Sequence, residues 1–77
     1  MNVYEKVREI FCDIFDDKET EFTSETSMES YDEWDSLVQL QLIVAVEHKF
    51  DVEFTTTEIK TLNSLGDFVK LIEEKKA

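Results

Sequence analysis

The chain has no proline and a single glycine, Gly66, among its 77 residues. Those two residues punctuate the tight turns of β-proteins, so their scarcity argues against an all-β fold. Helices remain as the way to bury an apolar face, and the periodicity agrees. Across residues 2–16, Val3, Val7, Ile10 and Ile14, flanked by Tyr4, Phe11 and Phe15, fall within about 140° of arc at 100° per residue. Glu5, Lys6, Arg8, Glu9, Cys12 and Asp13 lie mostly off that stripe.

Residues 36–50 form a second predicted helix, apolar nearly all round. Leu42, Val46 and Phe50 cluster on one side, and Leu37, Leu40, Ile43 and Val44 on another. A helix of a small domain cannot bury both sides, so one side is left for a partner or for something the domain carries. Thr55-x-x-Glu58 has capping-box spacing and starts a short helix reaching about Leu62. Ser64-x-x-Asp67 starts the last helix, with Leu65, Phe68, Val69 and Ile72 inward, Gly66 tolerated in its first turn, and Lys70, Lys75 and Lys76 toward the C-terminus, where the helix dipole favours cations. Asp51–Phe54 is a short connector with no partner strand in view. Residues 17–34 are a long polar loop, with Phe22 and Met28 as its anchors in the core. The expected fold is all-α: a four-helix bundle with three longer helices, one short third helix and a long first loop, in a single domain over residues 1–77. Phe50 and Phe68 are expected in its core.

Charge narrows the function. Asp and Glu number 19 against 8 Lys and Arg, a formal net charge of −11. Nucleic-acid binding needs a basic footprint, and an anionic membrane surface repels such a chain. A basic protein partner is the natural complement. The single cysteine permits no internal disulfide and no multi-thiol metal site, which suits a reducing cytoplasm. The start of the chain lacks the basic and apolar regions of a signal peptide, and no run is long enough to insert across a membrane. The expected state is a cytoplasmic monomer.

Enzymatic chemistry finds little support. His48 is the only histidine and lies twelve residues from Ser36, about 18 Å along the helix axis, too far for a nucleophile–base pair. It reads as a surface residue. Cys12 lies among acids that would not activate a thiol. Asp16, Asp17 and Glu19 fail the calcium-loop spacing and read as a solvated acidic face, with no metal site expected. No glycine-rich phosphate loop exists. Catalytic residues are therefore expected to be absent.

One place stands out: Trp34-Asp35-Ser36-Leu37, where a serine meets a helix start at the end of a long loop. Ser36-x-x-Gln39 has capping-box spacing and Asp35 is a good N-cap, so spacing alone gives Ser36 a structural role. The alternative is an exposed hydroxyl open to modification. A phosphate-linked group there would sit at the positive end of the helix dipole.

The Asp35-Ser36-Leu37 triplet resembles the Asp-Ser-Leu signature of the acyl carrier protein family. The likeness continues through Leu42, Ala45, Glu47 and Phe50-Asp51, then Phe54, Glu58, Leu62 and Ser64-Leu65-Gly66-Asp67-Phe68, and covers residues from about 28 to 74. It implies that Ser36 takes a 4′-phosphopantetheine arm from coenzyme A by a phosphopantetheinyl transferase, with Asp35 and Leu37 beside it. The arm's thiol would hold an acyl or aminoacyl group for a loading ligase and for downstream synthase or transferase enzymes. Leu40, Val44 and Glu47 would meet those partners, and Leu42 and Val46 would either line an acyl cleft or fill the core. The competing function is an acidic helical adaptor that binds a basic protein and carries no prosthetic group.

Several residues depart from the family pattern. Val38 and Gln41 stand where fatty-acid carriers often have acids, leaving mainly Asp35 and Glu47 of the acidic face, and Trp34 replaces a small residue. These departures imply a specialised carrier, for polyketide, polysaccharide-linked or aminoacyl pathways, outside fatty-acid synthase. Trp34 and Tyr31 would either contact cargo or partner, or pack the loop.

Overall fold

A computed structural model describes residues 2–76. Met1 and Ala77, counted within the expected domain, lie outside the described residues. Four helices run in the order α1 (Val3–Phe15), α2 (Ser36–Phe50), α3 (Thr56–Ile59) and α4 (Leu65–Lys76), with α1 packed against both α2 and α4. The all-α architecture, the short third helix and the long first loop match expectation. The third helix is shorter than its spacing suggests, ending at Ile59; a turn at residues 60–61 and an extended stretch to Ser64 lead into α4.

Each helix start is explained by a local cap. The Asn2 side chain accepts the Glu5 amide, at 2.8 Å. Thr55 and Glu58 form the predicted reciprocal box, at 3.1 and 2.8 Å. Ser64 and Asp67 do the same, at 3.2 and 3.1 Å, and Asp67 also accepts the Asn63 amide at 2.9 Å. The helix ends are less ordinary. With one glycine in the chain, α1 and α2 stop at Asp16 and Asp51, which take left-handed backbone conformations with φ of 52° and 56°. Aspartate is among the few non-glycine residues that tolerate that region.

Gly66 serves a different purpose. The first loop pairs with the start of α4 through a single antiparallel bridge, Ser27 to Ser64. Around it the Leu65 amide reaches Thr26 O (2.9 Å), the Met28 amide Asn63 O (3.2 Å) and the Gly66 amide Ser24 O (3.0 Å). A Cβ on Gly66 would lie 2.8 Å from that same Ser24 oxygen. This glycine is required by the close approach of two backbones, rather than merely tolerated in a helix.

The core joins Val7, Phe11, Phe22, Trp34, Leu42, Ile43, Val46, Phe54, Leu62, Leu65, Phe68 and Ile72. Phe11 is its hub, edge-on to Phe22, Trp34 and Phe68 at ring separations of 6.0, 5.1 and 5.7 Å. Such edge-to-face pairs add to the energy of burial alone. Phe22 anchors the loop in full burial and Met28 in part, as expected. Phe68 is fully buried, but Phe50 is only half-buried, a correction to its expected place in the core. It is the last residue of α2 and packs against the core from its edge. Cys12, expected on the outer side, instead packs partly against the core.

Candidate functional site

Ser36 is the first residue of α2, and the residue before it does the capping. Asp35 is extended (φ −108°, ψ −173°); its carboxylate accepts the Val38 amide at 2.9 Å and its carbonyl the Gln39 amide at 2.9 Å. Ser36 is therefore free of that duty. Its side chain is exposed, and among the described residues no hydrogen bond involves its hydroxyl. The amides of Ser36 and Leu37 are the unpaired donors that any helix start leaves open, so the hydroxyl sits in the positive end of the α2 dipole.

The expected Ser36–Gln39 capping box does not form. Gln39 lies one turn before Leu42 and Ile43, at the top of the inward stripe of α2, and its amide faces the bundle. There Gln39 Oε1 accepts the Trp34 indole N–H at 2.7 Å, and its Nε2 donates to Leu62 O at 2.8 Å. Trp34 is 3% exposed. Of its two expected roles it takes the packing one, and its indole N–H is satisfied as burial demands. Gln39 thus ties together the end of the first loop, α2 and the α3–α4 connection. Sequence reasoning missed it, although a polar residue three before Leu42 and seven before Val46 was the available signal.

Tyr31 braces the loop from the other side. Its ring packs edge-on against Phe15 at 4.7 Å and Phe22 at 5.2 Å. Its hydroxyl donates to Asp17 Oδ2 at 2.7 Å and lies 3.1 Å from Glu33 Oε2. Asp17 also accepts the Thr20 hydroxyl and the amides of Thr20 and Glu19, at 2.9 and 3.0 Å. The bonds from Thr20 first and Tyr31 second hold the Asp17 carboxyl well below the usual carboxylate range. Burial, together with the bonds to Asp17 and Glu33, pushes the Tyr31 hydroxyl above its ordinary value. Asp17 is therefore a loop organiser, a correction to its reading as part of a solvated acidic face.

Beyond Ser36 the outer side of α2 is apolar and open. Leu37, Leu40 and Val44 are 66%, 60% and 64% exposed. With Gln41 and Ala45 they line a shallow groove of about 380 Å³. Ile43, grouped with them by the helical wheel, turns inward and is 4% exposed. Glu47 is half-buried at the far end of α2, where its carboxylate accepts the Phe54 amide at 2.8 Å and secures the connector. Leu42 and Val46 are fully buried, and neither lines the grooves beside α2. His48 is exposed, as expected. No helix among the described residues is long and apolar enough to cross a membrane.

A small helical domain with a free serine at a helix start and an open apolar face beside it is the architecture of a phosphopantetheine carrier domain. A family model described as a phosphopantetheine attachment site matches residues 5–72. The chain is 40% identical over 75 residues to an acyl carrier protein of Streptococcus pyogenes, covering 97% of each. It is 42% identical over 77 residues to an acyl carrier protein of Lactococcus lactis, covering 99% of this chain and all of the relative. The holo acyl carrier protein of Geobacter metallireducens, solved by NMR, superposes with a TM-score of 0.88 at 34% identity, covering 99% of this chain and 87% of that one. A Mycobacterium tuberculosis structure, 19% identical, shares the fold at a TM-score of 0.85. The chain belongs to the acyl carrier protein family. It is a carrier rather than an enzyme, and its cofactor is covalently attached 4′-phosphopantetheine. Membership brings interaction with a phosphopantetheinyl transferase and with biosynthetic enzymes.

Proposed function

We propose that Ser36 is the residue that bears the 4′-phosphopantetheine. The observation that carries this reading is the division of labour at the start of α2, where Asp35 caps the helix and the Ser36 hydroxyl stays exposed without a partner. Serine supplies the oxygen for a phosphodiester, and the unpaired amides of the first turn favour the negative phosphate that results. When bound, the group supplies a terminal thiol that holds cargo as a thioester. Asp35 fixes the serine's orientation by fixing the helix start, and its charge suits a basic transferase surface.

Leu37, Leu40 and Val44 form the docking strip for partner enzymes, since three large apolar side chains in a row on one exposed face are otherwise unexplained. Glu47 contributes charge at the far end of that strip. The partners are a ligase or acyltransferase that loads the arm and a synthase or transferase that unloads it, in the cytoplasm, and the whole chain acts as one carrier domain. Val38 and Gln41, which dilute the acidity of α2, favour a specialised acyl or aminoacyl pathway over fatty-acid synthase.

The test is intact mass after incubation with coenzyme A, magnesium and a broad-specificity phosphopantetheinyl transferase, with Ser36→Ala as control. The expected result is gain of one phosphopantetheinyl mass by the wild type and none by the variant. An unchanged wild-type mass, with the transferase active on another carrier, would leave the acidic adaptor as the better reading. A modified Ser36→Ala chain would move the attachment elsewhere.

A further inference from the structure

The inward side of α2 carries a half-buried glutamine, Gln39, one turn after Ser36, whose hydrogen bonds tie the helix to the rest of the bundle. Descending α2 from that serine, the inward positions are Gln39, then Leu42 with Ile43, then Val46. The last three are apolar and nearly or fully buried. Gln39 is the first of the series and spans the seam between α2 and the α3–α4 connection, bonded to Trp34 on one side and Leu62 on the other. Behind it Leu42, Leu62, Leu65 and Phe68 are between 0% and 1% exposed, and none of them lines the grooves beside α2. An apolar chain entering from the Ser36 end would have to displace the Gln39 amide. That would strip a partner from the indole N–H of the buried Trp34, and from the Leu62 carbonyl.

We propose that Gln39 is a cargo-specificity residue: its Trp34–Gln39–Leu62 clasp keeps the acyl chain outside the bundle, so that the cargo is displayed to partners rather than sheltered in the core. This selects short or polar cargo. A long alkyl chain held in water forgoes the stabilisation of burial, in which each methylene sheltered favours the buried state about fourfold. A short or aminoacyl group loses little by staying outside. The inference rests on Ser36 bearing the arm.

The experiment loads the whole chain with butyryl or octanoyl phosphopantetheine from the corresponding acyl-coenzyme A. Loading is first confirmed by mass, so that a failure of the attachment reading is seen separately. Two readouts follow: hydroxylamine cleavage of each thioester, relative to the same thioester on coenzyme A, and the amide and methyl NMR shifts of Leu42, Val46, Leu62 and Phe68. In the wild type, octanoyl and butyryl groups are expected to be cleaved with equal relative rates and to leave those shifts unchanged. In Gln39→Ala, the octanoyl thioester is expected to be protected at least about fivefold, as burial of even two methylenes would allow, with shifts at Leu42 and Leu62. Trp34→Phe keeps an aromatic ring in the core and frees the Gln39 carbonyl oxygen. It is expected to give partial protection, and it decides the role of Gln39 should Gln39→Ala fail to fold. Octanoyl-dependent shifts and protection in the wild type would overturn the proposal. So would folded variants whose octanoyl thioesters are as exposed as in the wild type.

Discussion

Gly66→Ala sets two effects of known size against each other. Alanine is favoured over glycine inside a helix by about 1 kcal/mol, less in the first turn where Gly66 stands. The new methyl would meet Ser24 O at 2.8 Å and Ser24 Cβ at 3.1 Å, so one of the two segments must move by several tenths of an ångström. The oxygen in the way is backbone, and it also accepts the Gly66 amide at 3.0 Å, so moving it clear weakens the bond it makes. The neighbouring Leu65 to Thr26 and Met28 to Asn63 bonds belong to the same pairing and would be strained with it. Overpacking of this kind costs about 1–3 kcal/mol. The helix gain offsets part of that, and the expected net loss is about 1–2 kcal/mol, or a fall in Tm of roughly 4–16 °C for a domain of this size. Urea unfolding followed by far-UV circular dichroism, fitted with a common slope, measures it. A variant as stable as the wild type, or more so, would refute the reasoning, because it would mean that the loop from Ser24 to Met28 gives way freely and does not brace α4.

Phe68→Ala should cost about 3–5 kcal/mol, the range for a fully buried phenylalanine, whereas Phe50→Ala, at a partly buried helix end, should cost about half as much; equal losses in urea unfolding would contradict the placement of Phe50. The Asp17 carboxyl titrates lower in the folded chain than in the unfolded one, so its stabilisation is complete above the unfolded value, about pH 4, and fades as pH falls toward the depressed one. The stability gap between the wild type and Asp17→Asn should therefore be constant from pH 7 to 5 and narrow on acidification toward pH 2, and a gap independent of pH would show that Asp17 is not held in its charged form.

On the proposed attachment at Ser36, the Asp35-Ser36-Leu37 triplet depends on which of its two polar residues caps the helix. Asp35 and Ser36 both have the side chains of helix caps, and the spacing to Gln39 would spend the serine on a capping box. The backbone decides otherwise by starting α2 at Ser36. Asp35 is then the residue with extended dihedrals and a carboxylate within reach of the Val38 amide. The hydroxyl is left over, and that is what makes it available.

What the sequence determined by itself were the features that rest on neighbours within one turn or one stripe. The helical periods placed α1, α2 and α4, the Thr55–Glu58 and Ser64–Asp67 spacings placed the caps of α3 and α4, and the run from Leu37 to Val46 announced one apolar face too many for a small bundle. Such features follow from 3.6 residues per turn and the reach of a side chain. The tertiary structure alone decided which groups meet across the fold. Gln39 meets Leu62, 23 residues away, and Tyr31 meets Asp17, 14 residues away. Gly66 must lack a side chain because Ser24 lies against it. In each case the residue's type is compatible with several local roles, and the one it takes is set by a partner that only chain folding brings within hydrogen-bonding or van der Waals distance.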